Sequence, residues 1–134
     1  MDFNKLVPEL SVSDINVSRK FYVDVLGFKI EYERPDDKFM FLSYQGSQIM
    51  IEQINNHWSV GELEKPFGRG INFQIETNEI NVVFERVKKA GFPVFKPIFE
   101  SRYRANNVTY VEKEFLIQDP DGYLLRFQQT ISEE

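Results

Sequence analysis

The chain has 134 residues, of which 42% are hydrophobic and 28% are charged, and this is enough for one domain with its own core. It contains no cysteine, which excludes disulfides, thiolate nucleophiles and zinc–cysteine sites. A formal net charge of −5 argues against a nucleic-acid partner and favours a cationic ligand where the acidic groups gather in a cleft.

The first half of the chain is predicted to form one strand, one helix and three further strands. The first strand spans Leu6–Val12. An amphipathic helix follows, because Ser13-Asp14 suits its N-cap, apolar residues recur at helical spacing, and Gly27 suits its left-handed end. Turn residues then separate three β-rich stretches, which span Lys29–Arg34, Lys38–Tyr44 and Gln48–Gln53.

The second half repeats this order after a segment, residues 55–69, that contains proline and glycine. A helix is predicted from Thr77-Asn78 to Gly91, and its length equals that of the first helix. The strands predicted around it are Gly70–Glu76, Phe92–Phe95, Val108–Gln118 and Tyr123–Gln129. A strong turn signal, Asp119-Pro120-Asp121-Gly122, separates the last two. The order βαβββ therefore occurs twice.

This tandem repeat predicts an α+β fold of two βαβββ modules whose curved sheets surround a cavity. Each sheet carries a helix on one side and leaves its other side to face that cavity. We interpret residues 1–134 as a single domain, with internal repeats at about 5–54 and 70–130 and a linker at 55–69.

Alternation along the strands separates a core face from a cavity face. The predicted core face comprises Leu6, Pro8, Leu10, Val12, Ile49, Ile51, Ile71, Phe73, Ile75, Phe115, Ile117, Tyr123, Leu125 and Phe127. The predicted cavity face comprises Glu9, Ser11, Glu52, Asn72, Gln74, Glu114, Arg126 and Gln128. An open sheet with one hydrated face would show the same alternation, and the repeat is what favours a polar pocket.

Three segments of the chain resemble the vicinal oxygen chelate superfamily, which includes glyoxalase I, extradiol dioxygenases, fosfomycin-resistance enzymes and bleomycin-resistance proteins. These segments are Val7–Asp14, Phe21–Phe28 and Asp119–Phe127. The resemblance extends over nearly the whole chain and is greatest to the bleomycin-resistance proteins. It implies the paired-module glyoxalase/bleomycin-resistance fold, and it is much less specific for any one activity.

The resemblance also implies four metal-ligand positions, which fall on Val7, Glu52, Gly70 and Arg126. Only Glu52 can bind a cation, because valine and glycine offer no donor and arginine is itself a permanent cation. The single histidine, His57, lies in the linker, where a solvated side chain is expected. We therefore predict no metal, no cofactor and no catalytic residue.

Glu52 and Arg126 occupy equivalent positions in the two modules. They are predicted to form a charge-assisted pair across the cavity, in the place of the metal. The alternative is that both side chains point into solvent, where a pair would contribute little to stability.

The function favoured by these observations is non-catalytic binding and sequestration of a small molecule that is cationic or aromatic. Aromatic residues outside the core pattern are candidates to stack on it, namely Trp58, Phe67, Phe99, Tyr103 and Tyr110. The resemblance to bleomycin-resistance proteins implies an antibiotic-resistance role and a homodimer with ligand grooves at its interface. It also implies exchange of the N-terminal strand between subunits near Pro8.

Two alternatives stay open at this stage. One is a metal-dependent, glyoxalase-like lyase or isomerase with a degenerate or shared metal site. The other is an interaction module whose cavity is filled by its own side chains. For location, the first residues show no basic region before an apolar run, and no apolar run suits a membrane span. We expect a cytoplasmic protein without a membrane partner.

Overall fold

The computed structural model describes residues 2–134, and the chain divides into two compact units, Met1–Phe67 and Gly68–Glu134. The boundary between the units lies inside the predicted linker. Each unit contains a helical segment and a four-stranded sheet, so the predicted α+β class and the βαβββ repeat are confirmed. The grouping of both units into one domain stays a prediction.

The first unit builds its sheet in the order β1-β4-β3-β2. β1 runs parallel to β4, and the other two strand pairs are antiparallel. The first strand of the unit therefore lies beside its last strand, and residues far apart in sequence become neighbours there. The bounds are β1 (Glu9–Val12), β2 (Lys29–Arg34), β3 (Phe39–Tyr44) and β4 (Ser47–Gln53).

The helix of the first unit changes form along its length. α1 (Ile15–Arg19) begins after Asp14, whose carboxylate accepts hydrogen bonds from the N–H groups of Asn16 at 2.9 Å and Val17 at 3.3 Å. A π-helical segment, Lys20–Val25, continues α1. The predicted cap is confirmed, and a single regular helix is not what the structure shows.

The second unit has the equivalent sheet order, β5-β8-β7-β6, and β5 runs parallel to β8. β6 is much longer than the predicted run Phe92–Phe95, and its pairing with β7 is irregular between Lys96 and Phe99. Pro97 lies at this irregularity, where the missing N–H of proline is tolerated. Because proline within a run argues against a strand, the sequence pattern did not predict the rest of β6. The bounds are β5 (Asn72–Glu76), α2 (Ile80–Lys89), β6 (Val94–Ala105), β7 (Val108–Gln118) and β8 (Leu124–Glu133).

Equivalent glutamines secure the first turn of each helix. Gln53, at the end of β4, accepts a hydrogen bond from the N–H of Ile15 at 3.1 Å. Gln129, in β8, accepts one from the N–H of Ile80 at 3.0 Å. Helix termini leave N–H groups without intrahelical partners, and the last strand of each unit supplies one here. The sequence pattern predicted that local residues alone would cap the two helices.

Most of the predicted core face is confirmed by burial, including Leu10, Val12, Ile49, Ile51, Ile75, Phe115, Ile117, Tyr123, Leu125 and Phe127. The prediction was wrong for Leu6, which is 87% exposed, and for Ile71, which is 57% exposed. Both residues precede the strand to which they were assigned, and strand alternation therefore does not govern them. Pro8 and Phe73 are half-buried.

None of the helices within residues 2–134 combines the length and the apolar content that a bilayer span would need.

Candidate functional site

Two rows of side chains cross one face of the first sheet, opposite the face that holds Leu10 and Ile51. Residues paired directly across neighbouring strands point to the same face, so the register defines each row. From β1 to β2, one row contains Ser11, Glu52, Phe39 and Arg34, and the next contains Glu9, Met50, Phe41 and Tyr32. The face is therefore acidic towards β1 and β4 and aromatic towards β3 and β2.

The acidic end of this face borders a cavity of about 510 Å³. Glu9, Glu52 and Trp58, three of the predicted site residues, line it together. Two further acidic side chains, Asp36 and Asp37, and two basic side chains also line it among the described residues. Acidic groups therefore outnumber basic ones around this cavity.

Glu9 and Glu52 influence one another electrostatically. Burial raises the pKa of Glu9, the negative charge of Glu52 raises this pKa further, and the positive charge of Arg34 opposes both effects. The two carboxylates lie on adjacent strands, close enough for the charge of Glu52 to disfavour ionisation of Glu9. A cation bound between them would relieve this repulsion.

Hydrogen bonds of Asn55, in the segment after β4, connect the carboxylate of Glu52 with the backbone next to Trp58. Asn55 Nδ2 donates a hydrogen bond to Glu52 Oε1 at 2.9 Å, and Asn55 Oδ1 accepts one from the N–H of His57 at 3.0 Å. The Trp58 ring lies 6.4 Å from the His57 ring and is 73% exposed. An exposed indole beside two carboxylates can stack on a flat or cationic guest.

The aromatic end of the face is covered by groups of the chain itself. The Phe3 ring packs edge-on against Phe41, with 5.1 Å between centroids, and against Tyr32 at 6.1 Å. Arg34 Cζ lies 4.0 Å from the centroid of Phe39. These residues were not predicted from the sequence, because β3 is apolar on both faces. Alternation indicates a cavity face only where polar residues alternate with apolar ones.

In the second unit, the predicted cavity-face residues Glu114 and Arg126 contact one another. Arg126 Nη1 lies 3.2 Å from Glu114 Oε1, and the Tyr103 hydroxyl donates a hydrogen bond to Glu114 Oε2 at 2.5 Å. The side chain of Glu114 is completely buried, which differs from the expected open position on a cavity wall. The predicted pair between Glu52 and Arg126 would join the two units and stays a prediction.

The other predicted site residues are distributed over both units. Asn72 and Gln74 are exposed on β5, and Gln74 pairs in register with Arg126. Phe99 is half-buried, and Tyr110 lies opposite Tyr103 in the β6–β7 hairpin. Ser11 stands beside Glu52, and Phe67 is only 6% exposed, although it was placed outside the core pattern. Ligand contact by any of these residues stays a prediction.

The residues at the implied metal positions do not suit a metal ion. Arg126 is itself a cation, and its guanidinium pairs with Glu114 in the second sheet. Within residues 2–134, no three His, Asp or Glu side chains converge closely enough to hold an ion. A divalent ion in a catalytic site needs several converging nitrogen or oxygen ligands, and this chain alone does not provide them.

Comparisons with known proteins agree with the fold. The sequence model of the Glyoxalase/Bleomycin resistance protein/Dioxygenase superfamily matches residues 4–127. A lactoylglutathione lyase of Haemophilus influenzae is 29% identical over 128 residues, which cover 92% of this chain and 90% of that protein. A bleomycin resistance protein of Geobacillus stearothermophilus is 26% identical over 134 residues, which cover 93% of this chain and 96% of that protein.

A solved structure supports the same assignment at the level of the fold. The crystal structure of TioX from Micromonospora sp. ML1 superposes with a TM-score of 0.72 at 17% sequence identity, over 96% of this chain and 100% of that one. The match of the family model confirms the resemblance found in the sequence motifs. The chain belongs to the glyoxalase/bleomycin resistance protein/dioxygenase superfamily.

Proposed function

We propose that the protein binds a small organic cation, without transforming it, in the cavity lined by Glu9, Glu52 and Trp58. The observation that carries this proposal is the placement of both carboxylates on one face of adjacent strands, beside an exposed indole. Carboxylates attract the charge of the guest, and the indole offers a flat surface for its apolar part. The excess of acidic groups around the cavity selects against anions.

Binding, and not chemistry, is what this set of residues supports. General acid–base catalysis needs a group that approaches a reacting atom with a suitable pKa, and nucleophilic catalysis needs an activated side chain. The cavity offers carboxylates that attract a cation, and its described lining residues include no serine or cysteine that could act as a nucleophile. A relative named bleomycin resistance protein also supports a binding role of the sequestering kind.

Trp58 provides a direct test, because it is the single tryptophan of the chain and lines the cavity. We expect phenylguanidinium to change its fluorescence with saturation, and the neutral isostere phenylurea to bind at least about tenfold more weakly. Glu52→Gln should weaken phenylguanidinium binding, while Glu64→Gln, an exposed site outside the cavity lining, should not. Equal binding of both probes, or indifference to Glu52→Gln, would contradict the proposal.

We also propose that the protein acts in the cytoplasm as a homodimer, with exchange of the N-terminal strand near Pro8. The support is the likeness of this chain to bleomycin resistance proteins, and the covering of the first sheet by N-terminal residues. Asn4 and Gln48 form one of the contacts that such an exchange would transfer to a second copy.

A second candidate function is a metal-dependent lyase or isomerase of the superfamily. The relative named lactoylglutathione lyase is the observation that favours it. The candidate requires ligands from beyond a single chain, because Glu52 is the one implied position with a carboxylate. Metal analysis of protein purified without chelators decides between the two functions: a stoichiometric divalent ion that is lost in Glu52→Gln would favour the enzyme.

A further inference from the structure

We infer that Arg34 is a tethered competitor of the ligand, so that its guanidinium occupies the ring face that a bound cation would take. This inference rests on the proposed function and names the ligand class of the same cavity as flat cations of the guanidinium or amidinium type. It also assigns Arg34 a regulatory role, because the guanidinium must move aside before the ligand can reach the rings.

The guanidinium of Arg34 lies over two aromatic rings. Arg34 Cζ lies 4.0 Å from the centroid of the Phe39 ring and 5.8 Å from that of Tyr32. These distances place the cation over aromatic faces, which attract positive charge. Phe39 is itself paired with Glu52 in register, and the ring face therefore continues directly into the acidic end of the sheet.

This arrangement already has the chemistry of a cation site. A guanidinium lies on aromatic rings and lines the same cavity as Glu52, and its charge partly opposes the rise that burial and Glu52 cause in the pKa of Glu9. The other charged or titratable groups that line this cavity are the carboxylates of Glu9, Glu52, Asp36 and Asp37, the ammonium of Lys38 and the imidazole of His57. A free ligand with the same flat charged group would find the same partners once Arg34 had left.

Arg34 is held weakly. Its one ion pair among the described residues, from Nε to Asp37 Oδ2 at 3.4 Å, has both side chains more than half exposed. Exposed pairs of this kind contribute little, because solvent screens them and ordering the side chains costs entropy. A long side chain held in this way can swing into solvent without disturbing the sheet.

The experiment compares two neutralising substitutions in the cavity. Arg34→Ala removes the charge and uncovers the ring face, whereas Lys38→Ala removes an equal charge from the same cavity without a ring contact. We expect Arg34→Ala to tighten phenylguanidinium binding by about three- to fivefold, the fold-change that corresponds to one released cation–π contact. Lys38→Ala should change the affinity by less than about twofold at moderate ionic strength. Thermal unfolding verifies that both variants fold, and Arg34→Gln replaces Arg34→Ala if that chain does not.

Three outcomes would overturn the inference. Equal tightening in both variants would mean that net charge alone matters, and weaker binding in Arg34→Ala would make Arg34 a contact of the ligand. In either case the wild-type protein would still bind phenylguanidinium in a manner that depends on Glu52, and the proposed function would stand. Absence of such binding in the wild-type protein and in both variants would instead remove the proposed function together with the inference.

Discussion

The completely buried carboxylate of Glu114 is held by the guanidinium of Arg126, with 3.2 Å between Oε1 and Nη1. Both residues lie on the same face of the second sheet, on adjacent strands β7 and β8. A buried ion pair is costly to form, and it is costlier still to leave one partner alone. The pair therefore fixes the polar face of this unit more firmly than an exposed pair would.

Replacement of Arg126 should destabilise the protein strongly. We expect Arg126→Met to lower the free energy of unfolding by about 2–4 kcal/mol, because the Glu114 carboxylate would stay buried without its cationic partner. Chemical denaturation measures this change. The matched control is Arg102→Met, which breaks only exposed contacts, to Glu100 and Glu134, and should cost less than about 0.5 kcal/mol. Equal losses in the two variants would refute a special role for the buried pair.

The Tyr103 hydroxyl should contribute through the same carboxylate. Tyr103→Phe removes the hydrogen bond of 2.5 Å to Glu114 Oε2 and keeps the ring. We expect a loss of about 1.5–3 kcal/mol in the free energy of unfolding, as is usual for a hydrogen bond to a charged acceptor. Tyr110→Phe is the control, since Tyr110 lies opposite Tyr103 in the hairpin and has no hydroxyl partner within residues 2–134. A larger loss in the control would contradict this assignment.

Glu9 should make the stability of the protein depend on pH in the acidic range. Burial, followed by the charge of Glu52, raises the pKa of Glu9 above its ordinary value of 4.5. The folded chain therefore retains this proton at a pH where the unfolded chain has released it. Stability is lost as the pH rises from 4.5 through the folded pKa, because ionisation is more costly in the folded state.

Glu9→Gln should remove that part of the pH dependence. The variant should be as stable as the wild-type protein well below pH 4.5 and more stable once Glu9 is ionised. Denaturant titrations over a series of pH values measure both chains, and Glu64→Gln serves as the exposed control. Parallel curves for wild type and Glu9→Gln at every pH would show that the carboxyl is not perturbed.

The proposed exchange of N-terminal residues can be tested by disulfide trapping, because the chain has no native cysteine. The N–H of Asn4 donates a hydrogen bond to Gln48 Oε1 at 2.8 Å, and Gln48 Nε2 donates one to the carbonyl of Asp2 at 2.8 Å. With Asn4→Cys and Gln48→Cys together, oxidation of an exchanged dimer should give a covalent dimer on a non-reducing gel. Asn4→Cys alone is the control. A disulfide confined to single chains would contradict the exchange.

Several local features could be predicted because they depend on short-range chemistry. Asp14 caps α1 as expected, and β2 and β7 have the predicted bounds, since a capping carboxylate and strand alternation act over a few residues. Leu6 and Ile71 were wrongly predicted from the same alternation. Their spacing continues the alternation, yet pairing begins only at Glu9 and Asn72, and pairing depends on partners far along the chain.

The candidate site was predicted in part for the same reason. Glu9 and Glu52 could be proposed because they alternate with apolar residues along their strands, and Trp58 because it is an aromatic residue outside the core pattern. Arg34 and Phe39 could not, because Arg34 ends a strand among other charges and Phe39 lies in a strand that is apolar throughout. Only the register of β2, β3 and β4 places the guanidinium, the ring and a carboxylate in one row.

The amino-acid sequence by itself determined the βαβββ repeat, because the repeat follows from residue types and their local spacing. Its motifs also carried the resemblance to the family, which the family model confirms, and that resemblance is what implied the metal positions. The tertiary structure decided which charges meet. It paired Arg126 with buried Glu114, brought Glu9 close to Glu52, and laid Arg34 over Phe39. These relationships depend on strand register, which sums weak contributions from many side chains over the whole sheet, and no short segment of sequence contains that information.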